Sequence, residues 1–185
     1  MRRVVYFGNL VNVFHFLACA RNVKLLGWIA EEEDFYGSTF SALLREAGVP
    51  VYKVKSDKDI ESIFRRLGGI DLGVISNFGI ILSEKNLRRT REGFVNAHLG
   101  LLPEYPGRNP IQDALRKGEE LVGVTLHWVT AKVDAGPVIS KKTISAGREK
   151  DPAFLLERLS GLIPTMLEEF LRKKAPVKEL SVSAR

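Results

Sequence analysis

Short apolar runs rich in β-branched residues alternate with stretches carrying helical signals through the first hundred residues. This alternation constrains the fold more than any other feature. "RRVVYF", "VKLLGWIA", "VPVYKV", "IDLGVISN" and "GFVNAH" read as strands. Between them, "VNVFHFLACA", "STFSALLREAG" (a start signal at Ser38, a stop at Gly48), "DKDIESIFRRLGG" and "LSEKNLRRT" read as helices. Strands this apolar are buried on both faces, so the pattern predicts an α/β fold: an open, mostly parallel sheet with helices on both sides.

The last third changes character. "NPIQDALRKGE" predicts a helix, and "GVTLHWVTAKVDAGPVISKKTIS" two strands around a turn at Asp134, Ala135 and Gly136. "DPAFLLERLSGLIPTMLEEFLRKK" predicts one long closing helix, capped by Asp151 with Pro152 at its first position. No linker composition separates these parts, so residues 1–185 are expected to form a single domain, with 174–185 a flexible basic tail.

Several classes fall away. One cysteine, Cys19, permits no internal disulfide and suits a reducing compartment, so a cytoplasmic location is expected. No apolar run approaches the ~20 residues of a membrane span. The opening "MRRVVYFGNL" is faintly like a secretion signal, but Gly8 and Asn9 break its apolar run, and it reads as a first core strand. No G-x-G-x-x-G follows that strand, which argues against a dinucleotide. The three histidines lack metal-ligand spacing, so no metal is expected. The net charge of +6 gathers partly in "EKNLRRTREG" and in the tail. Such clusters can draw phosphate-bearing or nucleic-acid partners, but read first as a solvated helix face and a frayed end.

The stretch "FVNAHLGLLPEYPGRNP" sets Asn96 and His98 two apart on a strand, just before a loop of prolines and glycines. Residues two apart on a strand share a face, so both point the same way at the strand's exit. Ligands of open α/β sheets sit beyond such carboxyl ends. Asp134, at the tip of the later two-stranded element, could face them. An amide and a protonated imidazole can stabilise an oxyanion, and a carboxylate can take a proton from an attacking amine. The set suits acyl transfer, and with no matched serine or cysteine it points to direct attack by a substrate group. On its own, a lone Asn-x-His pair at a strand end is more often structural. His127, in "VTLHWVT", reads as a packed or hydrogen-bonded strand residue, His15 as structural, Cys19 as a small core residue, and Trp28 and Trp128 as core.

From Asn96 to Ile139 the ordered motifs resemble the core signature of the folate-dependent formyltransferases: Asn-x-His, Leu-Pro, a glycine-containing loop, Gly-Val-Thr-x-His and Asp-x-Gly. "DLGVISNFGIILSEKNL" resembles the segment lining that family's pterin pocket, and the resemblance spans roughly residues 1–172. It implies a Rossmann-like formyltransferase fold and 10-formyltetrahydrofolate as co-substrate. It also implies Asn96, His98 and Asp134 as the catalytic three, with Asn96 and His98 holding the oxyanion and Asp134 steering proton transfer. Phe78, Gly79, Ile80, Ile81 and Leu82, with Thr130 and Val133 opposite, would hold the pterin, largely by main chain.

The acceptor implied is a primary amine: an amino sugar nucleotide, glycinamide ribonucleotide or methionyl-tRNA. Gly8 and Asn9 at the first helix start, and Arg108 and Asn109 in "PGRNP", are the expected acceptor-binding residues. That loop resembles the sugar-amine enzymes. The additional domain that helps methionyl-tRNA enzymes bind tRNA has no counterpart in these residues, so tRNA is the less expected acceptor. Where many relatives carry serine, this chain has Gly100, and the first loop is short. These departures speak for one alternative, a folate or nucleotide binder with a decayed site; a 10-formyltetrahydrofolate hydrolase on the same fold is the other.

Overall fold

The computed structural model describes residues 1–32 and 47–173. Among these the order is β1 (Arg2–Gly8), α1 (Val11–Cys19), β2 (Val23–Glu31), β3 (Val51–Val54), α2 (Asp57–Leu67), β4 (Ile70–Ser76), α3 (Glu84–Leu87) and β5 (Thr90–His98). There follow α4 (Pro110–Arg116), β6 (Leu121–Trp128), β7 (Val138–Ser145), α5 (Pro152–Ser160) and α6 (Ile163–Arg172). The expected helix from Ser38 lies almost wholly outside the described residues, and the expected tail 174–185 lies wholly outside them. No helix among the described residues is long and apolar enough to cross a membrane.

The strands form one seven-stranded sheet in the order β3-β2-β1-β4-β5-β6-β7. The pairs from β3 through β5 are parallel, whereas β5–β6 and β6–β7 are antiparallel. The direction of assembly switches between β1 and β4, the place where open α/β sheets leave a crevice for ligands beyond the strands' carboxyl ends.

Strand alternation builds two cores. Val4 and Tyr6 join Phe14, Leu17, Leu155, Leu167 and Phe170 on one face. Val5 and Phe7 join Ile29, Ile60, Phe64 and Phe94 on the other. The rings of Phe7 and Phe94 sit 5.7 Å apart. Burying side chains of this size stabilises the fold by roughly 1.5–3 kcal/mol each. Gly73 makes room for the second core, because a Cβ there would lie 2.0 Å from the Phe94 ring.

Three expectations need correction. The closing helix is two helices, broken after Ser160. Pro164 has no N–H for the Ser160 carbonyl four residues back, and that carbonyl accepts instead from Asn12 Nδ2 at 2.8 Å. Cys19 is exposed rather than in the core. The buried face of α1 carries Val13, Phe14 and Leu17, which turns His15 and Cys19 outward together. Finally, β6 and β7 are joined by the nine residues 129–137 rather than a tight turn, with Trp128 N–H donating to the Pro137 carbonyl at 2.9 Å.

Candidate active site

A cavity of about 1340 Å³ lies at the carboxyl ends of the central strands. Phe94, Asn96 and His98 share one face of β5. Phe94 is buried in the second core, while Asn96 and His98, further along, line the cavity. β6 runs antiparallel beside them and sets His127 opposite Asn96 and Thr125 opposite His98. Directly opposed residues share a face, so His127 also lines the cavity.

Asp134 enters from the loop after β6. Its backbone takes the left-handed conformation, φ +51°, which aspartate tolerates better than most residues. Its side chain is only 7% exposed. Oδ2 accepts from the Gly107 N–H at 2.8 Å, so the proline-glycine loop after β5 holds the carboxylate. Oδ2 lies 3.7 Å from His98 Nδ1, and Oδ1 lies 3.6 Å from His127 Nε2. The carboxylate therefore stands between two imidazoles. Burial lowers the pKa of His127, against the opposing pull of the Trp128 carbonyl and Asp134. Neutral His127 gives its Nδ1 proton to the Trp128 carbonyl at 2.9 Å and accepts from Asn96 Nδ2 at 3.2 Å.

The other expected residues divide. Phe78, Gly79, Ile80, Ile81, Leu82, Thr130, Val133 and Arg108 all line the cavity. The main-chain N–H and C=O groups of Ile80, Ile81 and Leu82 find no hydrogen-bond partner among the described residues. Such groups beside a cavity suit a flat heterocycle edged with donors and acceptors. Arg108 reaches across to donate to the Gly79 carbonyl at 2.9 Å, and Glu31 accepts from the Gly79 N–H.

Gly8, Asn9 and Asn109 are not on the cavity wall. The Gly8 carbonyl is taken by Trp28 Nε1 at 2.6 Å, and Asn9 Oδ1 by Asn77 Nδ2 at 2.7 Å. Asn109 is turned outward ahead of Pro110 and makes no side-chain cap bond. Sequence reasoning missed His127, Asn77, Gly107 and Glu31. For His127 a signal existed: Thr-x-His in "GVTLHW" repeats the strand spacing of Asn-x-His. Only the β5–β6 register shows that the two pairs face each other. Among the described residues no group of three or more His, Cys, Asp or Glu is arranged to hold a metal.

The model of the formyl transferase family matches residues 45–169. Methionyl-tRNA formyltransferase of Methylococcus capsulatus is 38% identical over 135 residues, 72% of this chain and 44% of that protein. The enzyme of the same name from Thermotoga neapolitana is 34% identical over 182 residues, 92% of this chain and 58% of that protein. The chain thus spans about half the length of these curated relatives. Among solved structures, glycinamide ribonucleotide transformylase 1 from Symbiobacterium toebii superposes with a TM-score of 0.79 at 23% identity, covering 93% of this chain and 86% of that one. At that identity the likeness speaks for the fold alone.

Proposed function

This chain belongs to the folate-dependent formyltransferase family, and from that premise we propose that it transfers a formyl group from 10-formyltetrahydrofolate to a primary amine. The observation that carries the reading is the convergence of Asn96, His98 and Asp134 on one point of the cavity, beside the open main chain of Ile80–Leu82.

The folate, when bound, supplies the formyl carbon. Ile80, Ile81 and Leu82 offer its pterin their main-chain groups, with Thr130 and Val133 across the cleft. Asn96 Nδ2 donates to the formyl oxygen as negative charge grows there, a contribution of about 3–4 kcal/mol for a well-placed donor. Asp134 would accept the proton that the attacking amine must lose and hand it on to N10 of the departing tetrahydrofolate as the old C–N bond breaks, and His98 pairs with Asp134 from the strand side. No serine or cysteine among the described residues lines the cavity, which favours direct attack by the amine over a covalent enzyme intermediate. Gln112 on the wall would meet the polar part of the acceptor, while Arg108, bonded to the Gly79 carbonyl, braces the segment that would hold the pterin.

The test is incubation with 10-formyltetrahydrofolate and a panel of amines: glycinamide ribonucleotide, nucleotide-linked amino sugars and methionyl-tRNA. Tetrahydrofolate formation is followed by absorbance. Turnover with one amine, lost in Asn96→Ala, supports the reading. Formate release without any amine would replace it with a hydrolase.

A further inference from the structure

We propose that the main-chain carbonyl of Tyr105 fixes the His98 ring in one tautomer, and that Gly100 makes this grip sterically possible. Both are positioning residues, and their effect on rate rests on the formyl-transfer reading above.

His98 Nε2 lies 2.6 Å from the Tyr105 carbonyl oxygen, and both residues are buried. A carbonyl oxygen only accepts, so this bond exists only with the proton on Nε2. The ring then turns Nδ1 toward Asp134, 3.7 Å away. Nδ1 becomes the working nitrogen of His98, and Nε2 is withheld from any bound formyl group. Asn96 is left as the side-chain amide aimed at the oxyanion.

The grip is braced at both ends. The Tyr105 N–H donates to the Leu101 carbonyl at 2.9 Å. Its hydroxyl donates to Glu119, and the Lys117 ammonium sits 4.7 Å from its ring centroid. The bond to Glu119 is the main reason the phenol pKa is pushed up to about 12, so the hydroxyl stays a donor. Gly100 is held from β6, where Thr125 Oγ1 donates to its carbonyl at 2.7 Å.

A Cβ on residue 100 would lie 2.9 Å from His98 Nε2, 2.8 Å from the Tyr105 carbonyl oxygen and 2.5 Å from Pro110 Cβ. Two of these obstacles are the partners of the grip itself, and the third starts α4. The Tyr105 oxygen is backbone and Pro110 Cβ is fixed in its ring, while His98 Nε2 is a side-chain tip held by the Tyr105 bond. Any side chain here, the serine of many relatives included, must push the carbonyl and the imidazole apart. The demand for glycine is therefore one of space, not of backbone conformation.

The deciding measurement is a long-range ¹H–¹⁵N correlation spectrum of the histidine rings in the unmodified protein, with His98 assigned by its loss in His98→Gln. We expect a protonated Nε2 at every pH at which the protein is folded. An unprotonated Nε2 at neutral pH overturns the proposal. This readout needs no turnover, so it stands even if no amine is formylated, an outcome that would sink the formyl-transfer reading separately. In Gly100→Ala the Nε2 proton should lose its protection. The kcat should fall about ten- to a hundredfold, as expected for a misplaced group, with KM for the folate changed by less than about twofold. An unchanged kcat and unchanged ring signals would overturn the proposal. If Gly100→Ala does not fold, the native spectrum still decides.

Discussion

Asn96 and His127 face each other across the antiparallel β5–β6 pair, and the amide of one donates to the ring of the other at 3.2 Å. The second His127 nitrogen is committed to the Trp128 carbonyl, so the ring can only accept from Asn96. The Asn96 amide is thereby prevented from flipping, and its second N–H is free for the cavity. Asn96→Ala should lower kcat about 10²–10³-fold, the loss typical of an oxyanion donor. His127→Ala should lower it less, and the double variant should be no worse than Asn96→Ala, because His127 acts through Asn96. Steady-state rates of the three variants decide this; additive losses would separate the residues.

Acid should weaken the fold through His127. Its folded pKa is lowered by burial from the ordinary 6.5, so the unfolded chain takes up a proton before the native one does. Stability is then complete above about pH 6.5, falls as pH drops below it, and stops falling from this source beneath the folded value. Urea unfolding of the native protein and of His127→Gln between pH 5 and 8 checks the sign. The variant should show the flatter profile, and equal slopes would assign the acid sensitivity elsewhere.

Strand alternation made much of this molecule legible. Asn96 and His98 had to share a face once "GFVNAH" was a strand, and the apolar runs of β1, β2 and β4 could only be buried on both sides. His127 was not legible, because its meaning depends on a strand register that pairs residues 31 apart in sequence. Gly107 gave no sign in sequence that its N–H would hold Asp134, since the contact closes between two loops. The closing helix was misread because Pro164 sits inside an otherwise helical apolar pattern. The pattern is true of both halves and says nothing of where they part.

That break yields a prediction far from the site. Asn12→Ala removes the donor that replaces the missing Pro164 N–H at the Ser160 carbonyl. The loss should be about 1–2 kcal/mol, the cost of stranding a part-buried acceptor, with kcat unchanged. Denaturant midpoints and rates measured side by side check it, and an unaffected midpoint would mean that water serves the carbonyl equally well.

Asp134→Asn separates shape from charge. Asparagine tolerates the left-handed backbone at this position and can still accept from Gly107, so the fold should change by less than about 1 kcal/mol. The amide cannot take a proton from the amine, and kcat should drop at least about 10²-fold. Asp134→Ala should lose both turnover and, by about 1–2 kcal/mol, stability. Near-native turnover in Asp134→Asn would remove the carboxylate from the proton path.

Arg108 crosses from the β5 loop to the 78–82 segment proposed to hold the pterin, through its bond to the Gly79 carbonyl. Glu31 holds the N–H of the same glycine, so removing Arg108 frees one side of the 78–82 segment and leaves the other tied. The exposed bond is of modest worth, about 0.5–1.5 kcal/mol. Arg108→Ala should therefore raise KM for the folate by about two- to tenfold. Its kcat should stay within about twofold, because Asn96 and Asp134 keep their own supports. Initial rates with folate and acceptor varied in turn distinguish the roles. A rise confined to the acceptor's KM would make Arg108 a reader of the acceptor, with the Gly79 bond only where it rests.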